Sequence, residues 1–291
     1  MTAHNELATD VAPGDGCCGA AAPFTIAEAP CRVLRNAWVN GEYKHMVVAG
    51  NPASLAAQPG QFFHLMCPAT EQDQPFLRRP MSLYGVSADA GTVEFLYKVQ
   101  GAGTRGLATL NEGDYLDMLG PLGRGFELPE GTGHVLLVAR GVGLATLTPL
   151  AAAAIAQGAR VTAILSARTP QLIMSAGELT AAGAQVLTVT DEDGNSSVPK
   201  LDAMIRRLHE ADAFDFMTTC GSNRLLKLLQ HLSAELKVPG QIAMEQHMGC
   251  ALGMCYACVR PFRKEGGSTE LSYRRVCWDG PVFPLDEALT W

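Results

Sequence analysis

Nowhere does the chain run eighteen apolar residues together. Its most apolar stretch, 144–156, is too short to cross a bilayer and carries Thr146, Thr148 and Pro149. The first 23 residues hold no Lys or Arg and no apolar core, so they do not read as a secretory signal. Their Ala, Gly, Asp and Pro content predicts a flexible tail. Basic charge is scarce: 22 Lys and Arg against 29 Asp and Glu give a net charge of −7, which argues against a nucleic-acid partner. These absences together predict a cytoplasmic protein with no membrane span. What is present is a full complement of core-forming residues, 47% hydrophobic over 291 positions, enough for two or three domains. Nine cysteines in an unexported chain point to metal or redox use rather than disulfides. Two of them, Cys17 and Cys18, sit side by side in the tail with no third ligand nearby and read as an incidental pair.

Four other cysteines carry the strongest signal. Cys250, Cys255 and Cys258 follow the spacing Cys-x4-Cys-x2-Cys, and Cys277 lies nineteen residues further on. Four thiolates in that order suit a plant-type [2Fe-2S] cluster. Ala251, Gly253 and Ala257 between them are small enough for backbone amides to turn toward the sulfurs. Structural zinc and free thiols are the competing readings. Zinc sites usually present two short knuckles, and a spacing of four then two is unusual for them, but spacing alone does not identify the metal.

Short apolar segments fill the first half, at 31–39, 43–48, 61–66, 80–86 and 92–99, with Asn40-Gly41 as a hairpin signal. Glycine-rich turns at 101–106 and 120–125 follow, and the whole reads as a small closed antiparallel β barrel. On its rim, Arg79, Pro80, Met81 and Ser82 place a guanidinium and a hydroxyl with two residues between them, a pattern that suits a pyrophosphate and a flavin ring nitrogen. Leu96, Tyr97 and Lys98 offer an aromatic ring and a cation, and Gly103 and Thr104 open a short helix whose amides face an anion. Taken alone, the Arg79 to Ser82 pattern is better met by a strand edge with solvated arginines; three such signals in sequence order reinforce one another.

From His134 the pattern becomes strand and helix in alternation, which predicts a doubly wound parallel sheet. Ligands bind such sheets at the carboxyl ends of the strands, where Gly141, Val142, Gly143, Cys220 and Gly221 fall. A Gly-x-Gly turn serves equally to pack a helix close against its strand.

Barrel, nucleotide fold and carboxyl-terminal cysteine loop, in that order, resemble the ferredoxin reductase superfamily. The short cluster segment, ending in Tyr273-Arg274-Arg275-Val276-Cys277-Trp278-Asp279-Gly280-Pro281, is similar to the electron-transfer subunits of heteromeric, NAD-linked dihydroorotate dehydrogenases. The resemblance covers residues 31–291 and implies four segments: a tail at 1–23, an FAD domain at 24–130, an NAD(P) domain at 131–240 and a [2Fe-2S] domain at 241–291. It implies that Arg79 to Ser82, Leu96 to Lys98, Gly103 and Thr104 hold FAD, with Ser82 the catalytic residue near the reactive ring nitrogen. It further implies that Gly141, Val142, Gly143, Cys220 and Gly221 face NAD(H) or NADP(H), and that the four cysteines ligate the cluster. A relay subunit needs a separate catalytic subunit as partner, and nothing in this chain looks like an orotate site. A reductase serving another redox partner, or a cluster-bearing subunit without nucleotide exchange, shares the same architecture. Five cations near the cluster, Arg260, Arg263, Lys264, Arg274 and Arg275, against Glu265 and Glu270, read either as a docking rim or as a solvated loop.

The chain departs from the family where a run of glycines and an Ala-Pro are usual and it carries Arg140 ahead of Gly141, with Ala145-Thr146 further on. Ser222 stands where proline is usual. Two roles are open for Arg140, a salt bridge to a phosphate or occupation of the nicotinamide site. Ser166-Ala167-Arg168 at the end of the second strand leaves NADH and NADPH both admissible.

Overall fold

The computed structural model describes residues 26–264 and 270–290. The amino-terminal tail with Cys17 and Cys18, and Glu265 of the cation-rich loop, lie outside the described residues. The first half is one curled antiparallel sheet. In chain order it comprises β1 (Ala27–Trp38), β2 (Tyr43–Ala49), the short helix α1 (Pro52–Leu55), β3 (Phe62–Leu65), β4 (Arg79–Ser82), β5 (Gly85–Ser87), β6 (Thr92–Lys98), α2 (Ala102–Ala108) and β7 (Tyr115–Leu122). The strand order is β4-β3-β7-β1-β2-β6-β5. The expected barrel is thus a sheet rolled until its two edges, β4 and β5, meet across two residues of chain without pairing. Leu83 N–H bonds to Gln61 O on one side and Tyr84 N–H to Glu94 O on the other, so the chain changes sheet edge in one step. Alternation sets the core: Val93, Phe95 and Tyr97 of β6 point inward and are almost wholly buried with Phe63, Leu65 and Met46.

Two features depart from expectation. The β1–β2 turn spans four residues, 39–42, with Asn40 Oδ1 accepting from the N–H groups of Glu42 and Tyr43 at 3.0 and 3.1 Å. Gly120 and Pro121 lie inside β7 rather than in a turn. The ladder to β3 is irregular between Phe62 and His64, opposite this pair, which is where a strand tolerates a proline. A Cβ at Gly120 would sit 2.4 Å from the Phe63 ring, so glycine is what lets that ring cross the strand.

The second half is a sheet of order β10-β9-β8-β11-β12-β15. Its parallel part alternates β8 (His134–Arg140), α3 (Leu144–Ala156), β9 (Arg160–Ala167), α4 (Ala176–Ala181), β10 (Gln185–Thr190), α5 (Val198–Ala211), β11 (Phe216–Cys220), α6 (Asn223–Leu236) and β12 (Gly240–Ala243). Leu225, Leu226, Leu229 and Leu232 of α6 are fully buried on its sheet-facing stripe, each contributing about 1.5–3 kcal/mol. The carboxyl-terminal segment forms the hairpin β13 (Val259–Arg263) and β14 (Leu271–Arg275), a turn of helix α7 (Val276–Asp279) and β15 (Val282–Pro284). β15 pairs antiparallel with β12, so the tail returns to complete the nucleotide sheet. The expected boundary at 240/241 therefore falls inside a strand. Cys258, Phe262, Val276 and Cys277 share one continuous apolar core with Val138, Met217 and Leu229.

Candidate functional site

A cavity of about 790 Å³ opens between the rim of the curled sheet and the carboxyl edge of the parallel sheet. From β4 it is lined by Arg79, Pro80, Met81 and Ser82, from β6 by Leu96, Tyr97 and Lys98, and from the start of α2 by Gly103 and Thr104. Val142, Gly143 and Cys220 face it from the parallel sheet. Gly141 and Gly221 do not line it; they turn the chain behind those residues with φ of 57° and 74°. The sequence-predicted flavin residues, separated by up to 25 positions, are therefore gathered on one wall, and most of the nucleotide residues on the facing one.

Local packing explains the arrangement. A Cβ at Gly103 would lie 2.7 Å from Arg79 Cγ, so glycine is what lets the arginine lie across the first turn of α2. Thr104 caps that turn, its Oγ1 accepting from Gln100 and Gly101 N–H at 3.0 and 3.1 Å. Tyr97 does not offer its ring to the cavity. The ring lies in the barrel core, 1% exposed, and its hydroxyl donates to Asn36 Oδ1 at 2.9 Å, because Tyr97 has the inward parity of Val93 and Phe95. Lys98 is held by Glu42 at 2.8 Å, and Glu42 also binds Arg168 at the end of β9, tying the two halves together. The lysine's hydrogen bond, followed by the opposing effect of desolvation and then the arginine's hydrogen bond, keeps the Glu42 carboxyl below its usual range.

On the opposite wall, a Cβ at Gly143 would stand 2.7 Å from the Cys220 carbonyl oxygen, so helix α3 approaches β11 this closely only through glycine. The Cys220 thiol donates to Thr146 Oγ1 at 3.5 Å, and burial pushes it up to about 12, so it stays protonated. Arg140 does not occupy the cavity. Its guanidinium turns away to Asp191, with Nη2 to Oδ2 at 2.6 Å, and to Ser166 Oγ at 2.9 Å. Sequence reasoning missed Thr146 and the segment 244–248, where Met244, Glu245, Gln246, His247 and Met248 all line the cavity. The available signal was the polar run Glu245-Gln246-His247 directly after a buried strand, at the sheet edge where ligands bind.

That segment runs straight into the cysteine loop. Leu252, Met254 and Cys255 donate backbone N–H groups to Cys250 Sγ at 3.4, 3.3 and 3.4 Å. Gly253 N–H reaches Cys277 Sγ at 3.3 Å and Cys277 N–H reaches Cys258 Sγ at 3.4 Å. Left-handed backbone at Ala251, Gly253 and Tyr256 curls the loop around the sulfurs. Burial, which raises the Cys250 thiol, is outweighed by the N–H groups, led by that of Leu252, and it falls to about 7. Cys258, hydrogen-bonded first by the Cys277 thiol and then by backbone, falls to about 6 while Cys277 is raised. Among the described residues, no three His, Cys, Asp or Glu side chains meet where a single metal ion would sit. The Cys255 thiol lies within hydrogen-bonding reach of Cys250, and that of Cys277 within reach of Cys258.

The residues 245–289 match the family model described as the iron-sulfur cluster binding domain of dihydroorotate dehydrogenase B. A dihydroorotate dehydrogenase B (NAD(+)) electron transfer subunit from Desulforamulus reducens is 34% identical over 228 residues, covering 78% of this chain and 85% of that one. Its counterpart from Bacillus cereus strain 03BB102 is 34% identical over 249 residues, covering 84% and 92%. The chain belongs to this family of electron transfer subunits. Its fold is ferredoxin reductase-like: a solved NADH-dependent reduced ferredoxin-NADP oxidoreductase superposes with a TM-score of 0.73 at 28% identity, over 89% of each chain. The ferredoxin reductase in carbazole 1,9a-dioxygenase shares the fold with a TM-score of 0.57 at 20% identity, over 73% of this chain and 65% of that one.

For an electron transfer subunit of this family the donor set fits its groups. Four sulfurs with five backbone N–H groups turned onto them suit a two-iron cluster, which is held by four thiolates. Among the described residues, no helix is long and apolar enough to cross a membrane. The cations flanking the cluster are engaged within their own domain. Arg274 pairs with the buried Glu287 and stacks 4.5 Å over Phe262, Arg275 pairs with Asp279 at 3.0 Å and Lys264 with Glu270 at 2.6 Å. Arg263 donates to the carbonyls of Asp286 and Ala288 and Arg260 to that of Thr290. These cations staple the last twenty residues together, a structural task that a count of local charge does not reveal. Two large apolar side chains of the loop are exposed, Met254 at 77% and Tyr256 at 65% accessible, while Ala251 is buried and Leu252 packs against the core.

Proposed function

We propose that this chain is a cytoplasmic electron transfer subunit that exchanges electrons between NAD(H), FAD, a [2Fe-2S] cluster and a separate dihydroorotate-oxidising subunit. The observation that carries this is the continuity between cavity and cysteine loop. Met248 lies on the cavity wall and Cys250 only two residues later, a span of at most about 7 Å of chain. A bound flavin supplies the exchange between two-electron and one-electron chemistry. The chain's residues do the rest. Arg79 fixes an anionic part of the cofactor at the mouth of α2, and Ser82 presents a hydroxyl from β4 on the same wall. Cys220, kept as a neutral thiol, and Gly143 face that wall with the Glu245 carboxylate beside them, and a nicotinamide ring fits there. Cys250, Cys255, Cys258 and Cys277 hold the cluster. Exposed Met254 and Tyr256 beside the exposed Cys255 give the partner subunit an apolar landing surface at the point where electrons leave.

An anaerobic titration of the purified protein with NADH, and then NADPH, followed in the visible spectrum, tests the relay. Bleaching of flavin and cluster bands together is expected. Flavin and cluster present but reduced by neither nucleotide would refute the exchange. Copurification with a dihydroorotate-oxidising subunit, weakened by Tyr256→Asp, tests the partner.

A further inference from the structure

We infer that Arg140 and Arg224 form a seat for a phosphate group of the nicotinamide dinucleotide, with Asp191 occupying Arg140 until that phosphate displaces it. The inference rests on reading the carboxyl edge of the parallel sheet as the nucleotide site. In sheet order β10, β9 and β8, the strand ends bring Asp191, Ser166 and Arg140 into one row, and α6, which follows the neighbouring β11, carries Arg224 in its first turn. Arg140 is the last residue of β8 and stands opposite Ser166 in the ladder to β9. Its guanidinium reaches across β9 to Asp191, with Nη1 to Oδ1 at 3.2 Å and Nη2 to Oδ2 at 2.6 Å, a bidentate grip of the kind that also fits a phosphate.

Arg224, at the start of α6, supplies the second observation. Its Nη2 is shielded from solvent and has no hydrogen-bond partner. Burial, and then the neighbouring Arg140 cation, hold its guanidinium below the usual range, so the two cations feel one another. Arg140 already holds the Asp191 carboxylate, and the shielded cationic N–H of Arg224 without an acceptor is a costly arrangement. An anion carrying several oxygens supplies that missing acceptor. Ser196 also hydrogen-bonds Asp191, so the carboxylate retains a partner when Arg140 leaves it.

The placement matches the far half of a dinucleotide. Gly143 and Cys220 face the flavin cavity, whereas Arg140 lines none of it and points toward β9. A dinucleotide with its nicotinamide at the cavity extends in that direction, and its phosphates pass over the row. Where a glycine at position 140 would let backbone approach the phosphate, this chain uses a side-chain fork instead. The phosphate has two possible sources, the pyrophosphate common to NADH and NADPH, or the 2′-phosphate of NADPH.

The test is calorimetric titration of the flavin- and cluster-loaded protein with NADH, NADPH and 2′,5′-ADP, in wild type, Arg140→Ala, Arg140→Lys and Asp191→Asn. Arg140→Ala is expected to weaken phosphate-dependent binding at least tenfold, with Arg140→Lys intermediate because it keeps the charge and loses the fork. Asp191→Asn is expected to tighten binding several-fold, since the competing carboxylate is gone. A loss confined to NADPH and 2′,5′-ADP assigns the 2′-phosphate, and an equal loss for NADH assigns the pyrophosphate; both support the seat. Unchanged affinity in Arg140→Ala, or weaker binding in Asp191→Asn, overturns it. If neither nucleotide binds the wild-type protein, it is the reading of the site that fails. An unaltered flavin spectrum in each variant reports that the fold is kept.

Discussion

Replacing Tyr97 by phenylalanine separates two roles that the sequence alone cannot distinguish. The hydroxyl donates to Asn36 Oδ1 at 2.9 Å, and the Asn36 amide in turn donates to the carbonyls of Leu107 and Leu110, each at 2.9 Å. Those carbonyls close the far end of the helix whose beginning carries Gly103 and Thr104. Tyr97→Phe removes one partner and leaves the half-buried Asn36 Oδ1 without its donor, which costs about 1–3 kcal/mol. The aromatic volume stays in place, so no cavity forms and the wall of the flavin site keeps its shape. Urea denaturation of the loaded protein should therefore show a lower midpoint with an unchanged slope, while flavin affinity changes less than about threefold, under roughly 0.7 kcal/mol. Tyr97→Ala adds a void and should cost about 3–5 kcal/mol. If Tyr97→Phe left stability intact and loosened flavin more than about tenfold, the ring or its hydroxyl would be meeting the cofactor, and the assignment to the core would be wrong.

Other consequences follow from contacts elsewhere. Gly143→Ala forces a methyl group to within 2.7 Å of the Cys220 carbonyl, and the overpacking should cost about 1–3 kcal/mol; an unchanged melting temperature would contradict that close approach. Cys258→Ser should abolish bound iron and acid-labile sulfide while leaving flavin in place, whereas Cys31→Ser, in the barrel core, should leave iron content untouched; the assignment of ligands fails if the two variants behave alike. Burial, followed by the Arg78 cation, lowers the His64 imidazole from 6.5 to about 4, so the native state binds fewer protons than the unfolded chain between those values. Stability is then full above about pH 6.5 and lost as the pH falls toward 4, by up to roughly 1.4 kcal/mol per pH unit. His64→Leu should flatten that limb, and an identical acid limb in both proteins would assign it to other groups.

The cysteine loop was legible because its information is local: four thiolates and small residues between them fix the loop whatever surrounds it. That Arg79, Ser82 and Gly103 share one cavity wall was legible for a similar reason, since each sits in a short motif. What escaped depends on context supplied from far along the chain. β7 hides because Gly120-Pro121 reads as a turn until β3 is known to break register opposite it. The four residues of β12 are too few to announce a strand, and their pairing with β15 joins positions forty residues apart. Tyr97 illustrates a subtler loss. Its inward parity with Val93 and Phe95 was present in the alternation, but an aromatic next to a lysine drew attention to chemistry before packing. Arg140 stood out as a misplaced charge, yet only the ladder beside Ser166 and the loop after β10 show where that charge is compensated.

The shared core beneath Cys258 and Cys277 makes the cluster part of the nucleotide domain's solid body rather than a module on a tether. β15 laces the tail into the same sheet that carries Cys220, and Phe283 rests against Phe262 with ring centroids 4.2 Å apart. Phe62 and Leu122 of the curled sheet pack into that same core, so the gap between the cavity wall and the thiolates is set by the fold, and electron passage across it should involve no collision or docking of domains. Its rate should be indifferent to solvent viscosity, while the later transfer to a separate subunit should slow as the medium thickens.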